Sequence, residues 1–321
     1  MHVKAINTIA CLGTGTMGHG VAFLAARGGN TVRMFGRSQE SIQRGMDSID
    51  RAIKLYEDND LLPKGSGAKI KTRITGVTSI EEAVAGVDLV MESVAENMQV
   101  KHEVFQAAEK YCPDQAILAT DTSSLTLSEI AKVFKKPERF CAIHFFTPPY
   151  LMRTVEVCPC PSTLPSVLDV CAGWVETMIG NVAIVMNKEV PGFLINRIQA
   201  ACVREAAYIV EQGWASPETV DKAISYSLGR RYTVTGPLMS ADMGGLDIFD
   251  ALIDELGDKL YSGKTPKLLK DSVKRGNLGL KSGQGVYTWT PEKIQETRGR
   301  RERSLIEFLR QDQAEKKAQK S

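Results

Sequence analysis

Residues Ile9–Gly20 read IACLGTGTMGHG. The apolar run Thr8–Leu12 has the length and content of a short buried strand, and the glycine-rich Gly13-Thr14-Gly15-Thr16-Met17-Gly18 follows at once. From Val21 to Arg27 the chain is apolar and alanine-rich, as a helix packed on a sheet should be. The three glycines serve different ends, Gly13 the tight turn, Gly15 the close approach of backbone to a pyrophosphate, and Gly18 close helix–strand packing. The free N–H groups and the positive dipole end of the following helix suit phosphate. A second strand pattern at Thr31–Phe35 completes a dinucleotide-binding signature, with Thr16 and Met17 in the same loop beside the cofactor.

Working outward, strand patterns recur at Leu89–Ser93, Ala116–Thr120, Phe140–His144, Thr154–Cys158 and Val182–Met186, with helical stretches between most of them. This alternation predicts an α/β fold with a mostly parallel, doubly wound sheet of Rossmann type over residues 1–188. Between the second and third of these strands, about 40–73, the chain is too long for a simple crossover. It reads as an inserted helical hairpin broken at Pro63-Lys64-Gly65-Ser66-Gly67. Lys54, Lys64, Lys69, Lys71 and Arg73 on it make either a solvated face or a cradle for a phosphorylated substrate tail.

After Pro191-Gly192 the texture changes to helices alone, with Phe193–Val210, Ile248–Leu260 and Thr265–Arg275 as helical stretches. Ser216-Pro217-Glu218 is a helix start, with turn signals at Gly236-Pro237 and Gly244-Gly245. Residues 189–290 are thus expected to form an all-helical substrate and dimerisation domain, followed by a charged tail over 291–321. Phe193, Ile198, Val203, Tyr208 and Val210 do not fit one buried stripe, which points to a two-fold homodimer through this domain.

Forty Lys and Arg against 38 Asp and Glu leave a net charge of +2. Such balance implies no general attraction to nucleic acid or to a membrane surface. The start, MHVKAIN, lacks a long apolar segment, so a cytoplasmic protein acting on a small molecule is expected. Seven cysteines are scattered, with Cys11, Cys171 and Cys202 inside apolar runs, and read as buried reduced thiols. Cys158-Pro159-Cys160 has no second pair at ligand spacing, so no metal site is expected.

The stretch AIHFFTPPYLMRTVEV, Ala142–Val157, sets His144 and Glu156 on two segments joined by a Pro-Pro turn. On adjacent segments the carboxylate fixes the imidazole tautomer and stabilises its protonated form, the arrangement of a general base.

With these motifs in hand, the chain resembles the L-3-hydroxyacyl-CoA dehydrogenases and their CoA-independent relatives, the L-gulonate and carnitine dehydrogenases. The likeness runs to about Trp289 through GTGTMGHG (Gly13–Gly20), AENMQVK (Ala95–Lys101), DTSSL (Asp121–Leu125), HFFTPPYLMRTVEV (His144–Val157), PGFLINR (Pro191–Arg197) and GNLGLKSGQGVY (Gly276–Tyr287). The resemblance implies NAD(P)-dependent hydride transfer between a 3-hydroxyacyl-CoA and a 3-oxoacyl-CoA, with His144 as base, Glu156 orienting it, and Ser123 and Asn196 bonding the reacting oxygen. It further implies that Glu96 and Lys101 contact the nicotinamide-side ribose.

The sequence departs from that family's pattern at four places. The carboxylate expected after the second strand is replaced by Gly36-Arg37, which leans toward NADP without excluding NAD. Asp121 stands where an Asn is usual, and Thr147 likewise. Arg230 and Arg231 suit a free carboxylate bound bidentately, which opens the alternative of a CoA-free hydroxy acid or alcohol; otherwise they form a loop salt bridge to Asp242 or Asp247.

Overall fold

A computed structural model describes residues 5–318 of the chain, without the side chains at 316 and 317. Its contacts divide it into two units: the described residues up to Leu194 with those from Arg301 onward, and Ile195–Arg300.

The first unit is built on eight strands: β1 (Thr8–Leu12), β2 (Thr31–Phe35), β3 (Ile74–Val77), β4 (Leu89–Glu92), β5 (Ile117–Thr120), β6 (Phe140–Phe145), β7 (Thr154–Pro159) and β8 (Val182–Val185). They form one sheet in the order β3-β2-β1-β4-β5-β6-β7-β8. The pairing is parallel except that β7 runs antiparallel to β6. Helices α1 (Thr16–Gly28), α2 (Gln39–Asp58), α3 (Gly67–Lys71), α4 (Ile80–Val84), α5 (Met98–Tyr111), α6 (Leu127–Ile130) and α7 (Pro165–Gly173) connect them. Strands β4, β5 and β6 are buried at every position, as a sheet covered on both faces requires. Alternate residues enter two cores: Ile9, Leu89, Ile117 and Ile143 one, Ala10, Val90, Leu118 and Ala142 the other.

Several details differ from the sequence reading. Strand β3, Ile-Thr-Gly-Val, is four residues long and contains a glycine, too little pattern to stand out. The inserted hairpin is unequal: α2 spans 20 residues, whereas α3 has five. Gly65 takes a left-handed turn at φ 80°, and Glu57 accepts from the Gly67 amide at 2.9 Å, leaving little chain for a second helix.

The second unit holds α8 (Ile195–Glu211), α9 (Pro217–Ala223), α10 (Gly229–Tyr232), α11 (Pro237–Gly244), α12 (Leu246–Gly257) and α13 (Lys267–Lys274). Ser216 caps α9, its side chain accepting from the Thr219 amide. Gly236-Pro237, read as a turn, opens α11 instead, because proline suits the first helical position. Among the described residues of this unit only Ala207, Val220, Pro266 and Ser272 are buried. Cys202, expected inside, is exposed on α8, because the apolar run around it has no core to enter within the unit. The other expected thiols, Cys11 and Cys171, are buried and free.

The charged region beyond Thr290 is a helix, α14 (Pro291–Ala318). Its far part belongs to the first unit: Ile306 and Leu309 enter the core that also holds Ile49 and Tyr56 of α2. Asp312 pairs with Arg153 at 3.0 Å, and Arg310 donates to the Asn59 carbonyl at 3.0 Å. The last three residues of the expected tail lie outside the described ones. Among the described residues no helix is long and apolar enough to cross a membrane. Because Ile306 enters this core, Ile306→Ala should destabilise the protein by roughly 2–4 kcal/mol, read as a lower urea midpoint at unchanged m-value.

Candidate active site

The two-residue period of the strands decides where the chemistry gathers. On one sheet face the apolar rows end in polar groups: Val90 is followed at that face by Glu92, Leu118 by Thr120, and Ala142 by His144. These are carboxyl ends of parallel strands, where open α/β sheets bind ligands. In the β6–β7 register His144 stands directly opposite Glu156. The imidazole Nδ1 lies 2.8 Å from Glu156 Oε2. A carboxylate can only accept, so Nδ1 carries the proton and Nε2 presents its lone pair. The Ser123 hydroxyl lies 3.1 Å from that Nε2 and donates to it. The other Glu156 oxygen accepts from the Leu194 amide at 2.9 Å. His144 is only 3 % exposed, with the rings of Phe146 and Phe193 at centroid distances of 4.6 and 5.3 Å.

Ser123 sits in a segment held by Glu96. Oε1 of Glu96 accepts from the Thr122 hydroxyl at 2.6 Å and from the Ser123 and Ser124 amides at 3.0 Å. Lys101, expected at a ribose, is turned inward: it is 1 % exposed, and its ammonium lies 2.7 Å from Glu92 and 3.3 Å from Glu96. The reason is local, since α5 packs against the sheet and carries Lys101, Phe105 and Ala108 on its buried face. Glu96, with 39 % of its side chain exposed, keeps a face open to ligand.

Asp121 ends β5 behind the base. Its Oδ1 accepts from the Phe145 amide at 2.8 Å, one residue beyond His144. Its Oδ2 is sealed in with no hydrogen-bond partner among the described residues. Burial pushes its carboxyl well above the usual range; the Phe145 amide opposes this and the Glu92 charge adds to it. Neither Glu92 nor this role of Asp121 follows from the sequence, where both read as strand ends; the one available signal is an acidic residue closing an apolar strand.

The β1–α1 loop fits a dinucleotide. At Gly13 (φ 129°) a Cβ would meet the Ser93 carbonyl oxygen at 2.5 Å, and at Gly18 the Gly13 oxygen at 2.1 Å. At Gly15 a Cβ would meet nothing within 4 Å, so the space is left for a ligand. Gly15 begins α1 without a side-chain cap, and no acidic residue occupies the first turn, so the N–H groups at Thr16 and Met17 suit pyrophosphate. The Met17 sulfur also accepts from the Thr147 hydroxyl at 3.3 Å. At the end of β2, Gly36 is buried and Arg37 exposed.

The structure thus brings together Ser123, His144, Glu156 and Glu96. Asn196, Arg230 and Arg231 belong to the second unit. Asn196 lies in the first turn of α8. The arginines lie in helix α10, not a loop; Arg230 stacks over the Tyr226 ring at 4.7 Å, and neither pairs with Asp242 or Asp247. On the hairpin, Lys54 pairs with Asp58 and Lys71 with Asp50, while Arg73 donates to the Ala26 carbonyl. Three of the five expected cradle cations are therefore engaged within the protein. Beside Ser123 and Phe193 a cavity of about 580 Å³ runs along Pro159–Pro161 and Lys188–Val190. Among the described residues no cluster of three metal-ligating side chains occurs.

Residues 8–190 match the family model described as "3-hydroxyacyl-CoA dehydrogenase, NAD binding domain", and residues 192–289 its C-terminal domain. A probable 3-hydroxybutyryl-CoA dehydrogenase of Bacillus subtilis is 36 % identical over 88 % of this chain and 98 % of its own. The 5-formyl-3-hydroxy-2-methylpyridine 4-carboxylate 5-dehydrogenase of Mesorhizobium japonicum is 31 % identical over 95 % and 98 %. The crystal structure of such an enzyme, described as an NAD+ dependent dismutase, gives a TM-score of 0.87 at 30 % identity, covering 95 % of this chain and 98 % of that one.

Asp121 yields a pH prediction. An acid with a raised folded-state pKa supports the fold below the ordinary carboxylate range and loses that support as pH climbs toward the raised value. Asparagine does not titrate. The Tm of Asp121→Asn should therefore match the parent near pH 4 and exceed it increasingly toward pH 8, in paired thermal scans.

Proposed function

The chain belongs to the 3-hydroxyacyl-CoA dehydrogenase family and is an NAD-dependent dehydrogenase, and from this we propose that His144 is the general base for interconverting a hydroxyl and a carbonyl group on a small molecule. The observation that carries the reading is the row Glu156–His144–Ser123, in which the carboxylate and the imidazole are buried and Ser123 is exposed, with one carboxylate on Nδ1 and one hydroxyl on Nε2. Bound NAD supplies the hydride acceptor. Nε2 takes the hydroxyl proton of the substrate, and in reverse returns it to the developing alkoxide. Ser123 bonds the same oxygen and Glu156 holds the ring in one tautomer. Asn196 is assigned a share in holding that oxygen.

On substrate class we favour the CoA-free alternative, a hydroxy acid or alcohol whose carboxylate is taken by Arg230 or Arg231. What supports it is the engagement of Lys54 and Lys71 within the hairpin and of Arg73 on the Ala26 carbonyl of α1, together with the near full-length similarity to a relative whose name gives a pyridine carboxylate. A 3-hydroxyacyl-CoA is the second reading, supported by the 36 % identity to a 3-hydroxybutyryl-CoA enzyme. For the cofactor, the exposed Arg37 beside a residue without a carboxylate supports acceptance of NADP in addition to NAD. Free cysteines throughout suit a reducing compartment such as the cytosol. Val234 and Leu238, each 85 % exposed, with Trp214, Met243 and Ile253, support a second copy of this chain as the partner that covers the helical unit.

A panel read at the NADH absorbance decides the substrate: acetoacetyl-CoA, free 3-hydroxy acids, and 5-formyl-3-hydroxy-2-methylpyridine 4-carboxylate. Turnover of acetoacetyl-CoA alone would defeat the CoA-free reading. His144→Gln should lose roughly 100-fold or more in kcat while still binding NAD by calorimetry. Arg37→Ala should lower kcat/KM for NADP about tenfold with a smaller effect on NAD. Sedimentation at micromolar concentration should give twice the chain mass, and a stable monomer would contradict the pairing.

A further inference from the structure

After β8 the chain returns to the base through Val190-Pro191-Gly192-Phe193-Leu194. Pro191 and Gly192 fill the middle of a tight turn, which the Phe193 amide closes by donating to the Val190 carbonyl at 3.1 Å. Gly192 takes φ 76°, a value that suits glycine at the third position of such a turn. The unusual residue comes next. Phe193 has φ 49°, in the left-handed region, where a Cβ crowds the backbone. Among the described residues one other non-glycine residue has this sign, Asp60 at φ 58°, exposed in a turn where an aspartate is tolerated.

A bulky residue stays in this conformation only where its surroundings hold it there. Two contacts do so. The Phe193 ring is 3 % exposed, in the core with Phe140, Ala142 and Cys158, and its centroid lies 5.3 Å from that of the His144 imidazole. The amide of the following residue, Leu194, donates to Glu156 Oε1 at 2.9 Å. Ring and amide thus bear on the two partners of one hydrogen bond, His144 Nδ1 to Glu156 Oε2 at 2.8 Å. An ordinary φ of about −60° would swing the chain by about 110° from the observed 49°. Ring and amide could not then both keep their places. An imidazole carries its proton on whichever nitrogen faces the acceptor. A carboxylate that drifts from Nδ1 lets the proton pass to Nε2, and the lone pair that would take the substrate's proton is lost.

We propose that Phe193 is a positioning residue for the base: its left-handed turn seats the ring on the imidazole and the Leu194 amide on Glu156 together, and so keeps the proton on Nδ1. The proposal rests on the reading of His144 given above. Phe193 acts through Glu156 and the imidazole.

The test compares Phe193→Gly with Phe193→Ala. Both delete the ring, but glycine accepts φ 49° and alanine resists it. In ligand-free protein labelled with 15N-histidine, at a pH where the ring is neutral, the His144 signals are assigned by their loss in His144→Gln. The fraction of His144 protonated on Nδ1 should fall from the parent to Phe193→Gly and again to Phe193→Ala. On the best substrate of the panel kcat should fall about 100-fold in Phe193→Ala, the scale of a misplaced catalytic group. The loss should be about tenfold smaller in Phe193→Gly, which is spared the left-handed cost. The Kd for NAD, by calorimetry, should stay within about threefold of the parent in both. A residue that serves packing alone gives the opposite order, because glycine leaves the larger void and the looser chain. Phe193→Ala equal to or faster than Phe193→Gly, or an unmoved tautomer in both, would overturn the proposal. Should the two variants fail to fold, Gly192→Ala strains the same turn without removing a core atom. It should show the same loss of the Nδ1 proton, and a parent-like tautomer and kcat there would overturn the proposal. The base reading fails on a different result, turnover retained by His144→Gln, whereas the tautomer is read without substrate or cofactor.

Discussion

The antiparallel pairing of β6 with β7 is the constraint on which the site depends. It places Glu156 opposite His144 in the one register that lets a short carboxylate reach Nδ1. A carboxylate buried to this degree is costly unless its oxygens are occupied. Here the imidazole takes one and the Leu194 amide the other. A slip of β7 by one residue would send Glu156 to the opposite face of the sheet, among apolar side chains, and leave His144 without its carboxylate. The hairpin that reverses β6 into β7 is therefore as much a part of the chemistry as the two residues themselves.

The same parity rule gathers the rest. Glu92, Thr120 and His144 continue apolar rows on one face, so three neighbouring strands end in polar groups there, with the Thr120 hydroxyl donating to Glu92 at 2.6 Å. Lys101 arrives from α5 to balance them, and Glu96 bridges this layer to the Ser123 segment. Ionic groups in such a place do little for net stability. What they supply is one fixed geometry at the crevice, maintained by charge where apolar packing would leave the loop free to slide.

Much of this was legible in the sequence, because the features that mattered were local. The strand–glycine–helix signature depends on residues within a dozen positions, and the His144–Glu156 pairing on a short turn between two strands. What escaped reading was direction. Lys101 has the same place in the sequence whether it faces solvent or the sheet, and only the packing of α5 decides. Glu92 reads as the end of a strand until the cation is known to lie beneath it. Cys202 sits in an apolar run that implied burial, yet of the residues of α8 only Ala207 is buried. Strand β3 is short and glycine-bearing, so its existence rests on pairing with β2 and not on its own pattern.

The glycine after β2 carries a practical corollary for anyone wishing to retune coenzyme choice. A Cβ at Gly36 would fall 2.5 Å from Ser41 Oγ and 2.8 Å from Ile42 Cγ1. Grafting an acidic residue onto that position would therefore jam the start of α2 before its charge met any ribose, and would disturb the reciprocal Ser38–Ser41 cap. Redesign would have to enlarge the helix entrance first, or work from the neighbouring guanidinium alone.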